Sequence, residues 1–175
     1  PNQTLSMCWM AIIRDKYAIE FVKNPTLEME YFVVGITPQT LKLVRHQTPE
    51  ICWRALKKDP SVIEHIKNQT ESQCEYALKQ DPLLIRYVKN QTKELCFLAI
   101  QTNPASLKYI KNVTLDMCLR IVEKNRDDVA HIENKEMRMR TLKTLFLHDM
   151  IGFTDNDILK NVLEEMIEEE IGNVR

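Results

Sequence analysis

Residues 48–67 read Thr-Pro-Glu-Ile-Cys-Trp-Arg-Ala-Leu-Lys-Lys-Asp-Pro-Ser-Val-Ile-Glu-His-Ile-Lys, and most of the chain is a variation on them. Copies of a 22-residue unit start at Asn2, Asn24, His46, Asn68, Asn90 and Asn112, with no insertion or deletion between them. Numbering each unit from that first residue, Ile51, Cys52, Ala55 and Leu56 fall at positions 6, 7, 10 and 11. That spacing makes one stripe of an α-helix and not the alternation of a strand. Thr48 suits the N-cap, Pro49 the first helical position, and Glu50 the positive end of the helix dipole. The first helix is expected to end near Lys58.

Asp59-Pro60 then supplies a second cap and a second leading proline, which predicts a sharp turn. A short helix follows that buries Val62, Ile63 and Ile66 and ends near Lys67, with Asn68 able to adopt a left-handed terminating conformation. The same wording recurs at Asp81-Pro82, Asn103-Pro104 and Thr37-Pro38, whereas repeats one and six carry Lys16 and Arg126 in place of the proline. A period of 22 also suits leucine-rich repeats, but those need a short strand, and here proline falls where helices begin. Helices this short are marginal alone and hold only by burying their stripes on neighbours. The expectation is an all-α solenoid, right- or left-handed, of six two-helix repeats over residues 1–133. Repeat two departs furthest, with Glu30 in place of cysteine, and Gly35 predicts a local bend or looser packing there.

Residues 134–175 break the period. Glu136 to about Met150 reads as a longer helix with Met137, Leu142, Leu145 and Phe146 on its apolar side. Thr154-Asp-Asn-Asp157 resembles a capping box, and a last helix carries Ile158, Leu159, Val162, Leu163, Met166, Ile167 and Ile171 on one stripe. An acidic face opposes it. The end of a solenoid exposes apolar surface unless a polar-faced element covers it, so these two helices are expected to cap the array. Self-association through the last helix is the competing reading.

Net charge is −1, with 18 basic and 16 acidic residues over 1–133 and 6 and 9 over 134–175. That balance gives no global reason to bind nucleic acid or an anionic membrane. No apolar run approaches the roughly 20 residues that span a bilayer. Pro1 stands in repeat register, which suggests further sequence upstream. Cys8, Cys52, Cys74, Cys96 and Cys118 share position 7, one repeat apart. Stacked helices lie about 8–10 Å apart, too far for neighbouring cysteines to pair, so buried free thiols and an intracellular, reducing compartment are expected.

The string Thr48-Pro-Glu-Ile-Cys with Ala55-Leu56, Asp59-Pro60, Ile63 and Ile66-Lys67-Asn68-Gln69 resembles the short helical repeats of unknown function abundant in giant-virus proteins, with relatives in phage and bacteria. The resemblance covers residues 2–133. It implies an α-solenoid, a viral setting in host cytoplasm or virion, and no catalytic residues.

No residue set points to a reaction or cofactor. His65 and His131 share position 20 with Phe21, Leu43, Tyr87 and Tyr109, which reads as a packing column rather than a partner for a nucleophilic cysteine. There is no C-x-x-C, so no metal site is expected. Asn-x-Thr at Asn2, Asn68, Asn90 and Asn112 follows from a helix end meeting a helix cap. Two columns remain as candidates for binding. Trp9, Tyr31, Trp53 and Phe97 at position 8, with Phe32 and Tyr76 at position 9, flank the buried stripe and could anchor a protein partner. Lys23, Arg45, Lys67, Lys89 and Lys111 at position 22 could follow a phosphate backbone, although dipole complementation explains them without a ligand. The first reading, a non-enzymatic protein-interaction scaffold, is favoured over the second.

Overall fold

A computed structural model describes residues 3–152, 161 and 164–168. Among these the chain is all-helical, and helix-turn units recur at the 22-residue spacing. The long helices are α1 (Leu5–Arg14), α2 (Leu27–Ile36), α3 (Pro49–Lys58), α4 (Glu71–Gln80), α5 (Lys93–Thr102), α6 (Leu115–Lys124) and α7 (Lys135–Gly152). The chain forms two compact units, Pro1–Leu95 and Cys96–Arg175.

In the first unit the caps act as the sequence implies. Thr4, Thr26, Thr48 and Thr70 each accept a hydrogen bond from the backbone N–H three residues on. At Thr70 the bond is reciprocal, because Gln73 Oε1 accepts from the Thr70 N–H at 3.0 Å. Each α-helix then ends at position 14, where Asp15, Asp59 and Asp81 cap the next element through the N–H two residues on. Positions 6, 7, 10 and 11 are buried in α3, where Ile51, Cys52, Ala55 and Leu56 are all at most 3% exposed.

The short second helix expected in each repeat is present as a 3-10 helix, Pro60–His65 in repeat three, with Val62, Ile63 and Ile66 buried as expected. Its i+3 bonds, such as Val62 N–H to Asp59 C=O, start on the capping aspartate, and six residues are too few to establish an α ladder. Two expectations are corrected. The chain leaves through an extended residue (Ile66, φ −74° and ψ 118°), and no non-glycine residue among those described has positive φ, so Asn68 is not a left-handed terminator. Gly35 produces no slack: the Arg54 guanidinium lies over it, where a Cβ would collide.

In the second unit α6 buries Leu115, Met117, Cys118, Ile121 and Val122. The long helix α7 packs on α6, with Thr141 and Thr144 fully buried and their hydroxyls donating to Met137 and Arg140 carbonyls. The expected face was wrong in part, since Leu142 and Phe146 are 41% and 63% exposed. Asn134 caps α7 through Met137 N–H, and Thr141, Thr144, Leu145 and Leu147 form the buried face. Leu147 and Ile167 are buried together with Ile151 packed against them, so residues 164–168 lie on α7. The capping box at 154–157, Ile158, Leu159, Val162, Leu163 and Ile171 fall outside the described residues.

Candidate partner-binding site

The feature that organises the seams between repeats is an amide column at position 2, which periodicity did not single out. Gln47 Nε2 donates to Leu41 C=O of the preceding repeat (3.0 Å) and to His65 C=O of its own (2.9 Å), while its Oε1 accepts from Lys67 N–H (2.8 Å). Gln69 repeats all three contacts with Ile63, Tyr87 and Lys89. One neutral side chain thus satisfies three backbone groups that the short helices leave without partners. The signal was visible, since glutamine stands at position 2 in Gln3, Gln47, Gln69 and Gln91.

Repeat two lacks that amide, having Pro25, and its divergence follows from this. Glu30, at the cysteine position, is 0% exposed and takes over the accepting part of that role. Its Oε1 accepts from Arg45 N–H at 2.6 Å, its Oε2 from His46 N–H at 3.2 Å, and the same oxygen lies 3.1 Å from His46 Nδ1. Position 7 sits close enough for the exchange, because Cys74 Sγ is 3.8 Å from Gln69 Oε1. His46 stands where every other repeat has asparagine. Pro25, Glu30 and His46 are therefore one compensated substitution.

The basic column at position 22 is drawn into the same architecture. Lys89 Nζ donates to Ile66 and Lys67 carbonyls (3.0 and 2.8 Å), and the Arg45 guanidinium donates to the Val22 and Lys23 carbonyls. Each cation thus reaches back to the end of the previous repeat. Lys23, Lys67 and Lys111 occupy the matching places and are exposed.

The aromatic column also has partners. Trp9 meets Phe32, and Trp53 meets Tyr76, edge to face with ring centroids 5.6 Å apart in both pairs. Arg54 covers Tyr31 at 4.1 Å and donates to its hydroxyl at 3.1 Å, and in the second unit Arg120 covers Phe97 at 4.7 Å. Position 8 of one repeat therefore packs on position 9 of the next. These rings keep one side toward solvent: Trp9, Trp53, Tyr76 and Phe97 are half-buried and Tyr31 is exposed. Between α2 and α3, Tyr31 and Trp53 border a groove of about 420 Å³, lined also by Gly35, Glu50, Arg54, Lys57 and Lys58. Gly35 opens it, since the missing side chain lets Arg54 lie flat across α2.

All five thiols are buried and none forms a disulfide. Burial pushes the Cys118 thiol up to about 11, against a hydrogen bond with Thr141 that pulls the other way, and burial also raises Cys52 and Cys74. Thiolate is the reactive form, so native Cys118 is expected to label at least about 100-fold more slowly at pH 7.5 than the denatured chain. Labelling of native Cys118 as fast as in denaturant would refute that. Because its folded value lies above the ordinary one near 9, Cys118 stabilises the fold below pH 9, and this contribution is lost as the pH rises to about 11. At position 20, Phe21 (74% exposed) and His131 lie in the open, so the packing column expected there holds only for Leu43, His65, Tyr87 and Tyr109.

Among the described residues no three His, Cys, Asp or Glu side chains are grouped to hold a metal ion, and no helix is long and apolar enough to cross a membrane. No family model, curated protein or solved structure matches the chain.

Proposed function

We propose that this chain is a non-enzymatic α-solenoid scaffold that binds a protein partner through the groove at Tyr31, Trp53 and Arg54. The observation that carries the reading is the composition of that groove. Tyrosine, tryptophan and arginine dominate interface hot spots, and here Tyr31 and Arg54 are exposed and Trp53 half-buried around one groove. Gln69 and Lys89, by contrast, spend their polar atoms on backbone groups at the seams. The resemblance to giant-virus repeats supports a virion-associated setting as a narrower form of the proposal.

The test is affinity capture from the native source with the wild-type chain and two groove variants, Trp53→Ala and Arg54→Glu, each checked for helical content by circular dichroism. A partner retained by wild type and lost with Arg54→Glu is expected, since that exposed side chain supports no core. If retention on heparin instead falls steeply with salt and is lost on changing Lys67, Lys89 and Lys111 to Glu, the chain is a nucleic-acid-binding repeat protein and the scaffold proposal fails.

A further inference from the structure

Repeat six breaks the amide column. Position 2 is Gln3, Gln47, Gln69 and Gln91 in repeats one, three, four and five, but Val113 in repeat six. Repeat two also lacks the amide and compensates through Glu30, whereas repeat six keeps Cys118 at that place. A valine side chain neither donates nor accepts a hydrogen bond. Beside Val113 lies a cavity of about 340 Å³, whose lining includes Leu107, Ile110, His131, Glu133 and Met137. Ile110 is correspondingly 7% exposed, against 2, 1 and 1% for Val44, Ile66 and Val88 at the same position.

That lining matches the contacts glutamine makes in the other repeats. Gln47 bonds to the carbonyls of Leu41 and His65 and to the N–H of Lys67. The counterparts of those residues around Val113, at positions 18, 20 and 22, are Leu107, His131 and Glu133, and all three line the cavity. The position-18 carbonyl has room for the extra bond. Ile63 C=O accepts from both Ile66 N–H (3.2 Å) and Gln69 Nε2 (2.8 Å), and Leu107 C=O accepts from Ile110 N–H at 3.1 Å with a second lone pair to offer. The backbone that carries the other two groups also runs alike. Ile132 N–H bonds to Val129 C=O as Ile66 N–H bonds to Ile63 C=O, and both residues are extended (φ −86°, ψ 96° and φ −74°, ψ 118°). Val113 and Met137 are half-buried and supply apolar walls.

We infer that this cavity is a binding site for a primary carboxamide, such as the side chain of glutamine. Two carbonyls and one N–H match a group that offers two N–H bonds and one oxygen. An ammonium or guanidinium ion has no acceptor for the Glu133 N–H. A carboxylate has no proton for either carbonyl, and a hydroxyl donates only once. Gln47 and Gln69 make the same fit from within the chain. The site lies within the second unit and does not rest on the groove at Tyr31.

The probe is N-acetyl-L-glutamine N′-methylamide, titrated into the isotope-labelled full chain and followed by NMR. Saturable shifts are expected at the Glu133 amide and its neighbours, with the glutamate and methionine analogues binding at least about tenfold more weakly. Val113→Gln returns the chain's own amide to the site. It is expected to abolish the shifts, raise Tm by roughly 2–5 °C and slow exchange of the Glu133 N–H. Arg54→Glu, at the groove, is expected to leave probe binding unchanged, so the two sites fail separately. Free L-glutamine distinguishes the sources of the group: tighter binding of the capped probe supports a glutamine within a protein segment, and tighter binding of the free form supports the amino acid itself. Equal affinity for the glutamine, glutamate and methionine analogues overturns the carboxamide site, because the cavity is then merely apolar. So does a Val113→Gln chain whose Tm and Glu133 exchange match wild type, and so does the absence of saturable shifts with either form of glutamine.

Discussion

Changing Glu30 to cysteine, the residue of the other five repeats, is expected to destabilise the protein by about 2–4 kcal/mol, because hydrogen bonds to charged groups contribute roughly 1.5–3 kcal/mol and buried donors left unpaired cost about as much. The Arg45 and His46 N–H groups lose their acceptor, and Pro25 offers nothing in exchange. The informative variant is the pair Pro25→Gln with Glu30→Cys, which installs the amide of repeats three and four. It is expected to recover most of the loss, with a coupling of about 1–3 kcal/mol between the two sites. Urea unfolding midpoints at constant m-value read this directly. A double variant no more stable than Glu30→Cys alone would show that the carboxylate is not standing in for the glutamine.

The second large effect is at Gln69. Replacement by leucine keeps the volume and removes one donor group and one acceptor that together hold Ile63 C=O, Tyr87 C=O and Lys89 N–H at 2.8, 2.9 and 2.9 Å. The expected loss is about 2–4 kcal/mol. For a chain of this length that corresponds to a fall in Tm of roughly 5–15 °C. Gln69→Glu should be worse at neutral pH, since a carboxylate oxygen then faces two carbonyl oxygens, and it should recover partly in acid, where a protonated carboxyl can donate once. Gln3→Leu serves as the control. It lies at the exposed end and is expected to cost less than about 1 kcal/mol. Equal losses at the two sites would mean that the bridge between repeats contributes little beyond the contacts inside one repeat.

Much of the fold is written in short-range terms and was readable. Thr48, Pro49 and Asp59 mark boundaries through bonds to residues two or three away, and the stripe Ile51, Cys52, Ala55, Leu56 identifies one buried face without knowledge of what covers it. The distinction between α and 3-10 geometry was not readable, because Pro60–His65 satisfies the apolar spacing of either and the choice rests on which carbonyl the Asp59 cap presents. The amide column escaped for another reason. Glutamine between two helices reads as loop polarity, and its partners lie 18 and 20 residues ahead, in a place only the stacked chain defines. The face of α7 was misjudged because Thr141 and Thr144 satisfy their hydroxyls on carbonyls of their own helix and so take the buried places given to Leu142 and Phe146, while Leu145 stays where it was expected. The groove shares this limit: Tyr31 and Trp53 were named from their column, but Gly35 and Arg54, which give it a floor and a charge, come from the approach of two helices.

The seams also bear on how such a chain can lengthen or shorten. Because Lys89 and Gln69 each hold the end of the unit before them, removing or duplicating 22 residues from any starting point in the regular stretch rebuilds an identical junction. Crossing-over there leaves no scar. Repeat two is the exception, since the Pro25, Glu30 and His46 trio straddles a unit boundary. An excision from 24 to 45 would strand His46 beside a cysteine, whereas one from 25 to 46 would remove the trio whole, so only the second leaves a regular junction.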